Sequence, residues 1–209
     1  MVKLFEIDLK NNLLNLYIVC FIVVVFSMFL NGISNLNHDR VIQYLELFFC
    51  IMGIVLFPTL FSIEKNHDIT ELINTKKYDY QYIFVFRTVS TLVVTLLLSI
   101  FAYIMLMIFN SQVRLTDIFI AFTSTIFIGS ICLLISILTN NFLNGYMLGL
   151  VYFLICLGFR NLGFMFLFPE TFNFPSHFKI LQIIISLILL IVIVVLSKKI
   201  KGANIKSSL

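Results

Sequence analysis

Charge is what this sequence has least of. Asp, Glu, Lys and Arg make up 11% of its 209 residues, against about a quarter in soluble globular domains, and the mean hydropathy is +1.08. Such a composition belongs to an integral membrane protein, with room for one membrane domain and none for a separate soluble one. No GxxxxGK[ST] sequence occurs. No loop of this chain can therefore cradle nucleotide phosphates, and any chemical energy has to come from another subunit. Cys20, Cys50, Cys132 and Cys156 stand singly in four apolar runs without a CxxC pair. That spacing suggests neither a thiolate metal site nor a disulfide framework and leaves packing as their role. Tryptophan is absent, so interfacial anchoring falls to tyrosine and phenylalanine, as at Tyr78, Tyr80 and Tyr82. The apolar runs also lack an acid, base or histidine near their centres. Glu46 and Arg87 each lie about one turn inside a run, where a long side chain can snorkel to the interface. This argues against a proton-coupled transporter or an intramembrane protease, both of which need titratable groups at depth.

What is present is a series of apolar runs of about 20 residues, the length that crosses a hydrocarbon core. Six are expected as spans: Leu13 to Ile33, Val41 to Ser62, Ile83 to Phe109, Ile118 to Leu138, Phe142 to Phe159 and Ile180 to Leu196. The fourth and fifth are parted only by Thr139, Asn140 and Asn141, which read as a tight turn at the membrane surface. Leu162 to Phe168 is too short to span and is followed by Pro169 and Pro175. It reads as a re-entrant or surface-lying piece, tolerated at membrane depth only where protein covers its backbone. The first run exceeds the apolar core of a signal peptide, and no small-x-small site follows it, so it is expected to remain as a span.

The basic residues orient this arrangement. Lys3, Lys10, Lys65, Lys76, Lys77, Arg87, Lys198, Lys199, Lys201 and Lys206 fall on one side, and Arg40, Arg114, Arg160 and Lys179 on the other. Both termini are therefore expected in the cytoplasm. His38 and His177 lie outside and His67 inside, too scattered for a histidine metal site. The net charge of +4 calls for no nucleic acid, since the tail KKIKGANIK can meet anionic lipid headgroups.

Two patterns concern function. Thr88, Thr91, Thr95 and Ser99 recur at helical spacing, as do Ala121, Thr125, Gly129, Cys132 and Ser136, and Gly145 with Gly149 forms a GxxxG. Such stripes let helices approach closely and share hydrogen bonds. Thr88, Thr91, Thr95, Ser99, Thr125 and Gly129 are candidates for a helix interface or a mildly polar translocation path. The second pattern is the charged insert FSIEKNHDITELINTKKYDYQYIFVFR, residues 61 to 87. Asp68 and Glu71 are spaced as a capping box. Ile69, Leu72 and Ile73 then share one face, and Lys76 with Lys77 suits a helix C-terminus. A short amphipathic cytoplasmic helix is predicted there. At the N-terminus, Val2, Phe5, Leu9 and Leu13 make an apolar face opposite Lys3, Glu6 and Lys10, as in an interfacial helix.

These features resemble a permease subunit of the ABC-2 type, the type V ABC exporter fold. That family's pattern has a Glu at the end of span two, a Glu-Leu pair seven and eight residues on, and a basic residue entering span three. Glu64, Glu71, Leu72 and Arg87 stand at those places. The chain departs from it with Asp68 where a Gly is frequent, and with Lys77, Tyr78, Asp79 and Tyr80 where a Pro-x-Ser-Arg turn is frequent.

The resemblance implies an all-α membrane protein of six transmembrane helices, both ends inside. An elbow helix would occupy 1–12, a coupling loop 64–82 and a basic tail 197–209, with a re-entrant segment between spans five and six. It implies that Ile69, Leu72 and Ile73 dock on a separate ATP-binding subunit. Asp68 and Glu71 would cap the helix or pair with basic groups on that subunit, and Glu64 and Arg87 would brace the loop. ATP and Mg would belong to that subunit, with no cofactor and no enzyme activity in this chain. A second permease and membrane lipid complete the expected partners, in a bacterial plasma membrane. The cargo expected is an amphipathic peptide, antibiotic or lipid-like molecule, exported or kept out as immunity. Two other readings stand beside this one: the substrate-binding component of an energy-coupling-factor vitamin importer, and a non-transporting immunity or scaffold protein.

Overall fold

The computed structural model describes residues 13–32, 34–64, 80–159, 163–172, 174 and 177–206. They form six α-helices: α1 Leu14–Asn31, α2 His38–Glu64, α3 Tyr80–Ile108, α4 Leu115–Leu138, α5 Phe142–Gly158 and α6 His177–Lys206, with a single 3₁₀ turn at Gly163–Met165. No strand occurs among the described residues. α2, α3, α4 and α6 are each long and apolar enough to cross a membrane, while α1 and α5 hold apolar stretches of 17 residues, Leu14–Leu30 and Phe142–Gly158. The predicted elbow (1–12), most of the coupling loop (65–79) and the last three residues lie outside the described residues. α6 continues to Lys206, so most of the stretch read as a tail after Leu196 is helical.

Local chemistry explains the helix ends. α1 stops at Gly32, which takes the left-handed conformation at φ 62 that glycine adopts at no steric cost. Three connections turn on an asparagine of positive φ, Asn35, Asn110 and Asn140, the residue after glycine that best tolerates this region. At the start of α4 the Asp117 carboxylate accepts the Arg114 backbone N–H at 2.7 Å. Asn141 caps α5 by accepting the Leu143 N–H at 3.1 Å, which closes the expected turn between α4 and α5. Pro58 lies inside α2 and removes one helical donor. The Val55 carbonyl, one residue beyond the one that Pro58 leaves without its helical donor, accepts a hydrogen bond from the Tyr146 hydroxyl of α5 at 3.3 Å.

α2 and α4 form the centre of the bundle. Their apolar windows are 72% and 67% buried, against 33% and 28% for α3 and α6. Small residues make that centre. A methyl group on Gly53 of α2 would collide with the Thr125 carbonyl of α4, and one on Gly129 of α4 with the Phe57 ring of α2. Further along the same face of α4, Gly145 and Gly149 of α5 lie directly over Ser136 and Cys132, and Gly149 also approaches Ile54 of α2. The GxxxG is thus a close contact within the chain, with van der Waals packing as its driving force. All four cysteines are buried free thiols.

Candidate functional site

At the end of the bundle formed by the α1–α2 and α3–α4 connections, three helices converge on one buried ion pair. Glu46 stands on α2, about 12 Å along the helix from His38, and Ser124 on α4, about 13 Å from Leu115, at 1.5 Å per residue. Lys179 comes from the first turn of α6. Its Nζ lies 2.8 Å from Glu46 Oε1, with side-chain exposures of 2% and 0%. The same ammonium donates to Ser124 Oγ at 2.7 Å and to the Leu167 carbonyl at 3.3 Å. Its three protons therefore have three acceptors.

The carboxylate is equally occupied. Besides the ammonium, Glu46 Oε1 accepts the Glu170 N–H at 3.3 Å, and Oε2 accepts both the N–H and the hydroxyl of Thr171 at 2.9 and 2.5 Å. Four donors converge on a group with about four lone-pair sites. A buried charge is tolerable only when paired and hydrogen-bonded to this degree.

What the ion pair holds is the segment between α5 and α6, a strap whose described residues, 163–172 and 174, carry no α-helix. Phe166, Leu167 and Phe168 are 1%, 0% and 1% exposed, and the Phe168 ring meets Phe153 of α5 edge-on at 5.5 Å. Three successive carbonyls are taken by side chains: Met165 by the Tyr152 hydroxyl, Phe166 by Gln182 Nε2 at 2.6 Å, and Leu167 by Lys179. This is the protein cover that non-helical backbone requires away from water.

Past Pro169 the strap turns back on itself, with the Phe174 N–H donating to the Pro169 carbonyl at 2.8 Å. Glu170 is half-buried in this turn. Burial, and after it the Glu46 charge, push its carboxyl above the usual carboxylate value, while Lys179 pulls it back. Nearby, His38 Nδ1 approaches Asp117 Oδ2 at 3.7 Å and the Gln112 carbonyl at 3.2 Å. Among the described residues no three His, Cys, Asp or Glu side chains gather as a metal site.

No protein-family model, curated protein or solved structure matches this chain. Its site is therefore read from its own residues.

Two expectations change. Glu46 and Arg87 were expected to snorkel, yet Glu46 is 0% and Arg87 1% exposed. Glu46 turns inward because Lys179, which by sequence belongs to an outer loop, reaches it from α6. Arg87 lies on the face of α3 shared with the buried Phe84, Thr88 and Thr91, so the bundle encloses its head. The sequence does hold a signal for the pair: two lone opposite charges set among apolar residues, each of which needs a partner. Nothing in their separation of more than a hundred residues says that they are each other's.

The candidate stripe residues are all buried. Thr88, Thr91, Thr95 and Ser99 return their hydroxyls to carbonyls of their own helix, at Phe84, Arg87, Leu92 and Leu96. Thr91 also meets the Tyr17 hydroxyl of α1 at 3.2 Å. Thr125 bonds back to Ala121 and, with Gly129, faces α2. The two stripes thus serve different helix contacts. Of the candidate coupling residues, Glu64 is the last residue of α2, its side chain outside the described set. Asp68, Ile69, Glu71, Leu72 and Ile73 lie wholly outside it.

Proposed function

We propose that this chain is the membrane-spanning permease subunit of an ATP-driven transporter of the ABC-2 type. The observation that carries the proposal is the residue pattern Glu64, Glu71–Leu72 and Arg87, which runs from the last residue of α2 into α3. The all-helical bundle supports it, as does the protein-covered strap between the last two helices, where that family has its re-entrant segment. The six-span topology with both ends in the cytoplasm is part of the same proposal, with α1 and α5 as the two shorter spans. So is a bacterial plasma membrane.

In this reading ATP binding closes a pair of nucleotide-binding subunits. Each grips one permease through the helix around Ile69 to Thr75, and two permeases rearrange about a path between them. ATP can shift the permeases only through contacts that differ between two states. A firmly held helix, with Ile69, Leu72 and Ile73 in a groove of the partner and Asp68 and Glu71 at its N-terminus, supplies such contacts. An amphipathic peptide, antibiotic or lipid-like molecule suits a bundle whose outward faces are apolar and whose buried Glu46 and Lys179 are already paired.

Affinity purification in mild detergent tests this. An ATPase should co-purify with the wild-type chain and be lost with Leu72→Asp, while membrane insertion is unchanged. Retention of the ATPase by that variant, or its absence from the wild-type preparation, refutes the assignment.

A further inference from the structure

Two connections meet at the end of the bundle where α2 and α4 begin. The Asn35 N–H donates to the Phe109 carbonyl at 3.1 Å, and the Gln112 N–H to the Leu36 carbonyl at 3.0 Å. The Leu36 N–H donates to Ser111 Oγ at 3.2 Å. Donors from both sides thus join the α1–α2 connection to the α3–α4 connection. Beside these bonds stands His38, the first residue of α2. Its Nδ1 lies 3.2 Å from the Gln112 backbone carbonyl. A carbonyl can only accept, so Nδ1 carries a hydrogen in either charge state of the ring. Titration then adds or removes the proton on Nε2 and leaves the hydrogen bond in place. What it changes is charge.

That charge matters because of Asp117, which is fully buried in the first turn of α4. Its Oδ2 accepts the Arg114 N–H at 2.7 Å, and its Oδ1 the Thr116 hydroxyl at 3.4 Å. Neither donor is a cation. Among the described residues only the His38 ring, at 3.7 Å from Oδ2, comes within ion-pair distance. A buried carboxylate is tolerated when it is paired as well as hydrogen-bonded. Here the pairing exists only while the imidazole is protonated, and histidine is the side chain whose charge changes between about pH 5 and 8.

The surrounding charges leave this contact to the two groups. Asp39 and Arg40, next to His38 on α2, and Arg114 before α4 are exposed. Residues 14–37 and 88–113 carry no charged side chain, so α1 and the outer part of α3 add none. Glu46 and Lys179 compensate each other. Glu170 of the strap, whose carboxyl is pushed up first by burial, is near enough for His38 and Asp117 to act on it as well.

We infer that His38 and Asp117 form a pH-responsive clasp between the α1–α2 and α3–α4 connections. The imidazolium tightens the clasp against the buried carboxylate, and deprotonation leaves it to neutral hydrogen bonds. With both ends of the chain in the cytoplasm, the clasp faces the outer medium. It stands on these contacts and does not depend on what the chain carries.

Hydrogen exchange read by mass spectrometry tests this in nanodiscs at about pH 5 and about pH 8, after correction for the intrinsic pH dependence of exchange. Peptides covering 34–38 and 109–113 contain the donors Asn35, Leu36 and Gln112, whose protection reports local opening. The α4–α5 turn, 139–143, has no titratable side chain and is the internal control. Expected is about two- to fivefold greater protection of the clasp at the lower pH, with the control unchanged. His38→Asn keeps a donor for the Gln112 carbonyl without a titrating charge. Asp117→Asn keeps an acceptor for the Arg114 N–H and removes the counter-charge. Each should abolish the pH difference while retaining the wild-type protection at about pH 8, and Glu170→Gln should leave the difference in place. Equal protection of the wild-type clasp at the two pH values overturns the inference, and that comparison needs no variant to fold. A difference that survives His38→Asn or Asp117→Asn overturns it too. Loss of the difference with Glu170→Gln overturns the choice of Asp117 as the counter-charge.

Discussion

Replacing Lys179 by methionine keeps most of the side-chain volume and removes the ammonium from beside a carboxylate that contacts no other cation among the described residues. At an effective dielectric of about 20, the attraction across the 2.8 Å contact is about 6 kcal/mol, and the desolvation of two enclosed ions offsets much of it. Removing one partner is a different matter, because the survivor keeps its desolvation penalty and loses its compensation. Lys179→Met and Glu46→Gln are each expected to cost about 3–5 kcal/mol. The double variant leaves no charge at positions 46 and 179. It loses only hydrogen bonds, including the one to the Leu167 carbonyl, for about 1–3 kcal/mol. The double-mutant cycle should therefore show a coupling of several kcal/mol, with the double variant more stable than either single one. With no tryptophan to report by fluorescence, the assay is far-UV circular dichroism along an SDS titration in mixed micelles. Additive losses, equal within about 0.5 kcal/mol, would show that the two groups do not interact and would refute the structural reading.

Other outcomes follow from the same contacts. Gly129→Val should lower stability by about 1–3 kcal/mol through overpacking, since even one methyl there meets the Phe57 ring; Gly158→Val, where an added Cβ meets nothing within 4 Å, serves as the control for helix propensity. The Glu170 carboxyl lies above its ordinary value of 4.5 in the folded chain, so the folded state binds the extra proton just above that pH. Stability should then fall as pH rises from the ordinary carboxylate range through the raised value, and Glu170→Gln should remove that slope in SDS titrations repeated across pH. Glu71→Lys, like Leu72→Asp, should abolish ATP turnover coupled to transport while leaving insertion intact; normal coupling in both would count against a docking role for the insert.

Most of the helical layout was legible because its signal is one-dimensional. A bilayer demands about 20 apolar residues per crossing, and the runs around α2, α3, α4 and α6 meet that demand without reference to one another. The Thr139–Asn141 turn was legible for the same reason, as three polar residues between two apolar runs. The need for a covered strap was readable from a short apolar stretch followed by two prolines. Its cover was not, because Tyr152, Lys179 and Gln182 look unremarkable until α5 and α6 bring them to three successive carbonyls. Glu46 was misread for a related reason: a lone carboxylate one or two turns inside a helix can snorkel or pair, and only the position of α6 distinguishes the two.

By itself, then, the sequence determined the solvent of this protein and its helices, since composition and periodicity are properties of the chain alone. Tertiary structure decided which charges are buried together, which glycines touch, and how the strap is tied. Those outcomes depend on residues far apart in sequence, such as Glu46, Ser124 and Lys179, meeting where water is excluded and every charge and backbone group must find its partner within the protein.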